Sequence, residues 1–176
     1  LHSDIASQIN ESFEQRMIHK TYKAIVRGYA PDSVTIDHAL KEIAVFKHLQ
    51  KAVEQKKPQE AKTELETIDR FELPISDGRF PSSRYSLVSL KPTTGRKHQL
   101  RRHMKHISHP IIGDVKYGKG EHNRLFQVNF HSNRLLLAAT ELSFTHPVSN
   151  EQIELICPLE DSFSNTLEKL QEYKTS

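Results

Sequence analysis

The residues best suited to chemistry in this chain lie in one basic segment, residues 94–106, which reads TGRKHQLRRHMKH. The segment carries five Lys or Arg and three His, and it contains no carboxylate. Guanidinium groups stay charged at neutral pH and match the paired oxygens of phosphates and carboxylates. The segment therefore predicts a site for a polyanion. The side chains expected to contribute are Arg96, Lys97, His98, Gln99, Arg101, Arg102, Lys105 and, further along, Lys116.

An amphipathic helix must present these side chains. Leu100, Met104 and Ile107 recur at positions i, i+4 and i+7, which places them on one helical face. We expect a helix that begins at the turn Thr94-Gly95, docks this apolar stripe on a core and ends before Pro110. The remaining cations, Arg101 included, are then expected around its exposed surface. The alternative interpretation is a basic helix face that is merely solvated.

Charge is distributed unevenly along the 176 residues. The whole chain carries a formal net charge of +3, whereas residues 91–134 alone carry +8. Concentrated positive charge of this kind is typical of nucleic-acid binding, although chance clustering is the alternative.

A metal site is a weaker interpretation of the same region. His98, His103, His106 and His109 lie close together, but His98 and His103 are five residues apart and so leave a common helix face. Neighbouring Arg and Lys would also repel a cation. We therefore expect no metal.

Nucleophilic hydrolysis finds no support either. No serine lies in a G-x-S-x-G elbow, and neither a G-x-G-x-x-G nor a Walker sequence is present. The single cysteine, Cys157, falls in a predicted strand, where a buried and inert thiol is the usual outcome. It also excludes an internal disulfide, which is consistent with a reducing cytoplasm.

Periodicity predicts one α+β domain over residues 1–176, with a mixed, mainly antiparallel sheet and flanking helices. Strands are expected at residues 19–28, 34–36, 61–73, 85–90, 135–144 and 153–157, and helices at 4–15 and 161–173. Residues 47–62 are interpreted as a surface excursion, and the segment around Asn123 and Arg124 as a polar loop. No apolar run is long enough to span a membrane. Because the single cysteine fits a reducing compartment, we expect a cytoplasmic protein. A monomer is favoured.

Three further motifs, taken with the basic segment, give the chain a resemblance to a known family. Residues 20–28 (KTYKAIVRG) fit K-x-Y-x-A-x-V-x-G, and residues 94–103 fit T-G-R-x-H-Q-L-R-x-H at every fixed position. Residues 109–118 fit H-P-I-x-G-D-x-x-Y-G, and residues 145–147 read THP. In this order the motifs resemble the RluA family of RNA pseudouridine synthases. The spacing of Asn123-Arg124 after Tyr117-Gly118 is similar to the branch of that family that modifies transfer RNA.

The resemblance implies an isomerase that needs no cofactor. Such enzymes cleave the C1′–N1 bond of a uridine, turn the base and rejoin it through C5. They use a nucleophilic Asp, a Tyr beside the base and an Arg paired with the Asp; Tyr22 matches the Tyr and Arg101 the Arg. The resemblance also implies an RNA substrate, with transfer RNA favoured over ribosomal RNA, and a pseudouridine synthase fold.

Two departures from the family pattern change these expectations. The printed residues contain no R-L-D-x-x-T-S-G segment, which carries the family's nucleophile, and Asp4 aligns within the helix that follows it. We therefore expect a partial catalytic domain that lacks the upstream strands and is inactive alone; the alternative is a non-catalytic RNA-binding module. The second departure is Ala138, where the family often has His.

Overall fold

The computed structural model describes residues 18–44, 51 and 56–175, and these form a six-stranded sheet with three helices. The strands are β1 (His19–Arg27), β2 (Ser33–Asp37), β3 (Lys62–Leu73), β4 (Ser83–Pro92), β5 (Leu137–Thr145) and β6 (Gln152–Ile156). The helices are α1 (Gln99–His106), α2 (Gly120–Phe130) and α3 (Asp161–Gln171). The predicted helix at residues 4–15 lies outside the described residues, as does half of the predicted surface excursion.

The sheet confirms the predicted α+β class. Its strand order is β2-β3-β4-β1-β5-β6, and every neighbouring pair is antiparallel. No helix in the described part of the chain is both long enough and apolar enough to cross a bilayer.

Alternation along the central strand divides the core into two clusters, one on each face of the sheet. On β1, Ala24 and Val26 belong to a cluster that includes Leu100 and Met104 of α1, which confirms the predicted docking of that helix. Ile25 points the other way, into a cluster with side chains from α2 and α3. Because successive strand residues face opposite sides, the three described helices are divided between the faces, with α1 on one and α2 and α3 on the other.

On β3, alternate residues that would otherwise face one side of the sheet face both sides, because the register of this strand shifts. Leu65 of β3 packs on the α1 side, whereas Phe71 and Leu73 pack on the α2 and α3 side. The shift between Thr67 and Asp69 adds one unpaired residue, and a shift of one residue moves every later side chain to the opposite face.

The basic helix begins later than the sequence predicted. The Gln99 side chain accepts hydrogen bonds from the Thr94 hydroxyl at 2.7 Å and from the Arg96 amide at 3.0 Å, which holds residues 94–96 outside the helix. His98 then takes a left-handed φ of 56° as the N-terminal flanking residue, and the helix begins at Gln99. The predicted start at Thr94-Gly95 was wrong because the Gln99 side chain satisfies these groups outside a helix.

Two further expectations were wrong. The segment around Asn123 and Arg124 is α2 and not a loop, because Leu125, Phe126 and Phe130 recur on one face and pack into the core. Cys157 is exposed and not buried, because β6 ends at Ile156 and is the outermost strand of the sheet.

Gly113 permits the chain crossing that places the segment after α1 against the start of β5. Its φ is +79°, and a Cβ there would lie 1.8 Å from the carbonyl oxygen of Arg134. The crossing therefore requires a residue that lacks a side chain and tolerates positive φ.

We expect Gly113→Ala to lower the free energy of unfolding by about 3 kcal/mol, since the methyl group displaces backbone and not a flexible side chain. Urea denaturation followed by circular dichroism measures this change. Gly95→Ala is the matched control, because no atom lies within 4 Å of its added Cβ, and it should change stability by less than about 1 kcal/mol. Equal effects of the two substitutions would contradict the close approach.

Candidate active site

The centre of the site is an ion pair between Arg101 of α1 and Asp114, which follows Gly113. The Arg101 Nε donates to one Asp114 oxygen at 2.7 Å, and Nη2 donates to the other at 2.8 Å. Asp114 is 1% exposed and the Arg101 side chain 20% exposed. The expectation that Arg101 lies on the exposed helix surface was therefore wrong, because a carboxylate thirteen residues away draws it inward.

Asp114 is fixed from the backbone side as well. Its Oδ1 also accepts the amide hydrogens of Lys116 at 2.9 Å and Tyr117 at 2.8 Å. Burial by itself raises the pKa of Asp114, but the hydrogen bonds from Arg101 and from these two amides outweigh it and bring the pKa below its usual value. With four hydrogen bonds and almost no exposure, this carboxylate serves to hold Arg101 and is unavailable as a nucleophile.

The Tyr117 ring lies beside the Arg101 guanidinium. The Arg101 guanidinium carbon lies 5.1 Å from the centre of the Tyr117 ring, a cation–π distance. The Tyr117 hydroxyl lies 3.2 Å from Nδ1 of His98. Burial, followed by the nearby charge of Arg101, lowers the pKa of His98, so this ring is held neutral beside the pair.

Helix α2 locks the turn that presents Asp114. The side-chain oxygen of Asn123 accepts the Gly113 amide at 2.8 Å, and its amide nitrogen donates to the Asp114 carbonyl at 3.1 Å. Sequence reasoning recorded Asp114, Tyr117 and Asn123 only as letters of a motif and assigned them no function. The G-D-x-x-Y-G spacing was the available signal, since it places an acid and an aromatic in one turn.

Tyr22 lies on the same face of the sheet as α1. It is half-buried on β1, between Leu90 of β4 and Ala139 of β5, and it packs against the cluster that contains Leu100 and Met104. Ala138 packs against the other cluster, on the opposite face. A larger side chain at position 138 would accordingly point away from Tyr22.

The other cations predicted to bind RNA fall into two groups. Lys97, Lys105 and Lys116 are exposed. Arg96 and Arg102 are half-buried, and each donates one hydrogen bond to a backbone carbonyl, of Glu60 and Lys41 respectively. All five keep N–H donors beyond the bonds described here.

Gln99 occupies a different position from these cations. It is 4% exposed, and its amide nitrogen donates to the Lys62 carbonyl at 2.9 Å and the Thr63 hydroxyl at 3.0 Å. Both ends of its side chain therefore hold α1 to β3, which gives Gln99 a structural role at the helix start.

The histidines of the basic segment are distributed over separate environments. His103 is buried; its Nε2 donates to the His38 carbonyl at 3.0 Å, and its Nδ1 lies 2.9 Å from the Thr63 hydroxyl. His106 is exposed and stacks on the His38 ring at 3.7 Å. Within the described residues no three His, Cys, Asp or Glu side chains are grouped so that they could hold a metal ion.

Known proteins that are similar to this chain belong to one family. The family described as RNA pseudouridylate synthase matches residues 1–106. Among curated proteins, tRNA pseudouridine synthase C of Vibrio parahaemolyticus is 44% identical over 172 residues, covering 97% of this chain and 70% of that protein. The enzyme of the same name from Haemophilus influenzae is also 44% identical, over 168 residues, covering 95% and 70%.

Solved structures that are similar to this chain carry the same family name. Human RNA Pseudouridylate Synthase Domain Containing 4 superposes with a TM-score of 0.69 at 25% identity and covers 96% of this chain and 68% of its own. Human RNA Pseudouridylate Synthase Domain Containing 1 superposes with a TM-score of 0.66 at 26% identity, covering 97% and 73%.

The Arg101–Asp114 pair should make the free energy of unfolding depend on pH. Removing one partner of a buried pair leaves the other charge uncompensated, so Asp114→Asn should lower the free energy of unfolding by about 3 kcal/mol at pH 7. The pKa of Asp114 is lower in the folded state than in the unfolded state. The stabilisation is therefore complete above about pH 4, the unfolded value, and is lost as the pH falls through the folded value.

Urea denaturation at pH 7 and at pH 2.5 tests this, with Asp37→Asn, an exposed position at the end of β2, as the control. The difference between wild type and Asp114→Asn should shrink at the lower pH, whereas the control should show little difference at either pH. A difference of equal size at both pH values would show that the ionised carboxylate is not what stabilises the fold.

Proposed function

Because this chain belongs to the RluA family of RNA pseudouridine synthases, we propose that, together with the family's nucleophilic Asp, it isomerises a uridine of transfer RNA, with Tyr22 and Arg101 in the reaction centre. Family membership makes the protein an isomerase of RNA uridine. The choice of transfer RNA is supported by relatives named tRNA pseudouridine synthase C that align with nearly the whole chain.

The reaction moves one proton and exchanges one bond. The C1′–N1 glycosidic bond breaks, C5 of the detached uracil bonds to C1′, and the C5 proton leaves while N1 gains a proton. No electron is gained or lost overall, so the chemistry needs no redox partner. In the family this reaction uses an Asp nucleophile, and the R-L-D-x-x-T-S-G segment that carries it has no match in the printed residues.

The orientation of Arg101 is the observation that carries the proposal. Asp114 engages two of the five N–H donors of the guanidinium, and the Tyr117 ring lies against its face. Three donors remain for a second carboxylate, such as the nucleophile of the family reaction. An arginine held in this way keeps that carboxylate ionised and correctly placed without rearranging during the reaction.

Tyr22 is suited to the base and to its proton. Its ring lies on the α1 face of the sheet, where it can stack against a uracil turned out of the RNA. Its hydroxyl can receive the C5 proton, directly or through water, as general acid–base catalysis requires.

The exposed cations are proposed to bind the RNA backbone. Lys97, Lys105 and Lys116 are free of the core, and Arg96 and Arg102 keep unused donors. Their contacts with phosphates would offset the cost of turning the base out of its stack. Gln99 is left out of this set because its amide is already used inside the protein.

A non-catalytic RNA-binding module is the second candidate, and the missing nucleophile segment is the observation in its favour. The two candidates differ in turnover and not in binding. We predict that this 176-residue chain by itself binds a tRNA transcript but releases no tritium from [5-³H]uridine within it. A polypeptide that includes the nucleophile segment should release it; no release from that longer form would favour the binding module.

Tyr22→Phe tests the proton-transfer role in that longer, active form. The substitution keeps the ring and removes the hydroxyl, so tritium release should slow at least about 100-fold, while affinity for the transcript stays within twofold. Tyr173→Phe is the matched control, since Tyr173 packs against the opposite face of the sheet. Release at the parental rate from Tyr22→Phe would refute the role given to the hydroxyl.

Salt dependence tests the proposed backbone contacts. Each lysine that neutralises a phosphate adds about 1 to the slope of log affinity against log salt concentration. Lys97→Gln, Lys105→Gln and Lys116→Gln should each reduce that slope by about 1 in filter-binding titrations with a tRNA transcript. Lys169→Gln, on α3, carries the same charge change at an exposed position and should leave the slope as it is; equal slopes for all four variants would place the RNA elsewhere.

A further inference from the structure

A cavity lies at the C-terminal end of β1, beyond Tyr22. It has a volume of about 440 Å³ and is lined in part by Arg27, Gly28, Asp77, Phe80, His109 and His122. Gly28 is six residues beyond Tyr22, which corresponds to about 20 Å along an extended strand. The cavity is therefore separate from Tyr22, and none of the roles assigned above uses its lining residues.

The wall of this cavity is a buried polar chain that fixes Arg27. The Arg27 Nε donates to Nε2 of His122 at 2.9 Å, and Nδ1 of His122 lies 2.9 Å from the Tyr85 hydroxyl. Because Nε2 accepts a hydrogen bond, His122 is neutral and carries its proton on Nδ1. Burial, followed by the charge of Arg27, lowers the pKa of His122, which agrees with this assignment. The terminal amino groups of Arg27 remain as donors.

Two acceptors face the same cavity. His109 Nδ1 lies 2.8 Å from the Arg27 carbonyl, which can only accept, so Nδ1 is the donor in this contact and Nε2 is the acceptor of the tautomer with a single ring proton. Asp77 uses Oδ1 to accept the amide hydrogens of Arg79 and Phe80 at 2.9 and 2.8 Å. Its Oδ2 lies 3.7 Å from His122 Nε2, beyond hydrogen-bond distance, and so remains an acceptor.

An aromatic ring completes the lining. Phe80 is 52% exposed, unusually open for a side chain of its size, and the Arg79 guanidinium lies 5.3 Å from its centre. An open ring beside positive charge is the arrangement that stacks bases of single-stranded nucleic acid. The volume lies within the range of sites for small ligands.

We infer that this cavity is a subsite for an unpaired guanosine nucleotide of the RNA substrate. Guanine matches the lining because its Watson–Crick edge offers neighbouring N–H donors to Asp77 and His109, while O6 accepts from Arg27. Its ring stacks on Phe80. The inference rests on the proposed function only in taking the nucleotide to be part of an RNA; the cavity itself can be tested with the free nucleotide.

The test is a titration of the ¹⁵N-labelled chain with guanosine 5′-monophosphate, followed by the shifts of backbone amide signals. The signals that should move are those of Gly28, Phe80, Ser108 and His109. Uridine 5′-monophosphate should bind at least tenfold more weakly, because its edge offers a single N–H donor. Equal binding of the two nucleotides, no binding, or shifts confined to the Tyr22 and Arg101 region would each overturn the inference.

Two substitutions and a control locate the binding. Phe80→Ala should weaken guanosine monophosphate binding about tenfold through lost stacking. Asp77→Asn should weaken it at least tenfold, because the amide can keep an oxygen on the backbone N–H groups but turns a donor toward the base. Leu155→Ala removes an equally exposed apolar side chain on β6 and should leave affinity unchanged; loss of affinity in this control, or full affinity in the other two, would contradict the site.

The same proteins should be titrated with a tRNA transcript, so that the subsite and the proposed function fail separately. Salt-dependent transcript binding without nucleotide binding would remove the subsite and leave the proposed function in place. Nucleotide binding at the cavity without transcript binding would support the subsite and count against the proposed substrate.

Discussion

A buried charge pair between Arg101 and Asp114 is the interaction on which the candidate site depends. Moving two charges out of water is costly, and attraction alone seldom compensates for it. Here the cost is offset by two hydrogen bonds from the guanidinium and two from backbone amides, with a tyrosine ring against the cation. The geometry of α1 relative to the segment after it is fixed in consequence, because neither charge can leave without exposing the other.

The rest of the fold places this pair on the face of the sheet that also carries Tyr22. The central sheet separates a face that carries α1 and Tyr22 from a face packed under α2 and α3. Helix α2 nevertheless acts across that division, since Asn123 binds both sides of the Gly113-Asp114 turn. The large core on one side of the sheet thus supports a rigid, polar arrangement on the other.

Local pattern was sufficient to predict the six strands, α1 and α3, but it missed α2. Alternation gave β1, β3 and β4, and the spacing of Leu100, Met104 and Ile107 gave α1 and the face it buries. Sequence reasoning failed where a distant partner decides the outcome. The Gln99 side chain bonds to Thr94, so the helix begins at Gln99 and not at Thr94. Asp114 binds Arg101 from thirteen residues away and draws it inward. The bulge in β3, after which its side chains face the opposite side of the sheet, contains no glycine that would signal it. Such pairings depend on which residues become neighbours in the folded protein, and this cannot be inferred from their spacing in the sequence.

The central claim is that Asp114 acts on the reaction through Arg101 and does not contact the RNA itself. Steady-state kinetics of Asp114→Asn, in a form of the enzyme that carries the nucleophile segment, measure this most directly. A misplaced catalytic group costs about 100-fold in rate, so kcat should fall by about that factor while KM for tRNA stays within twofold. An unchanged kcat, or a loss confined to KM, would contradict the claim.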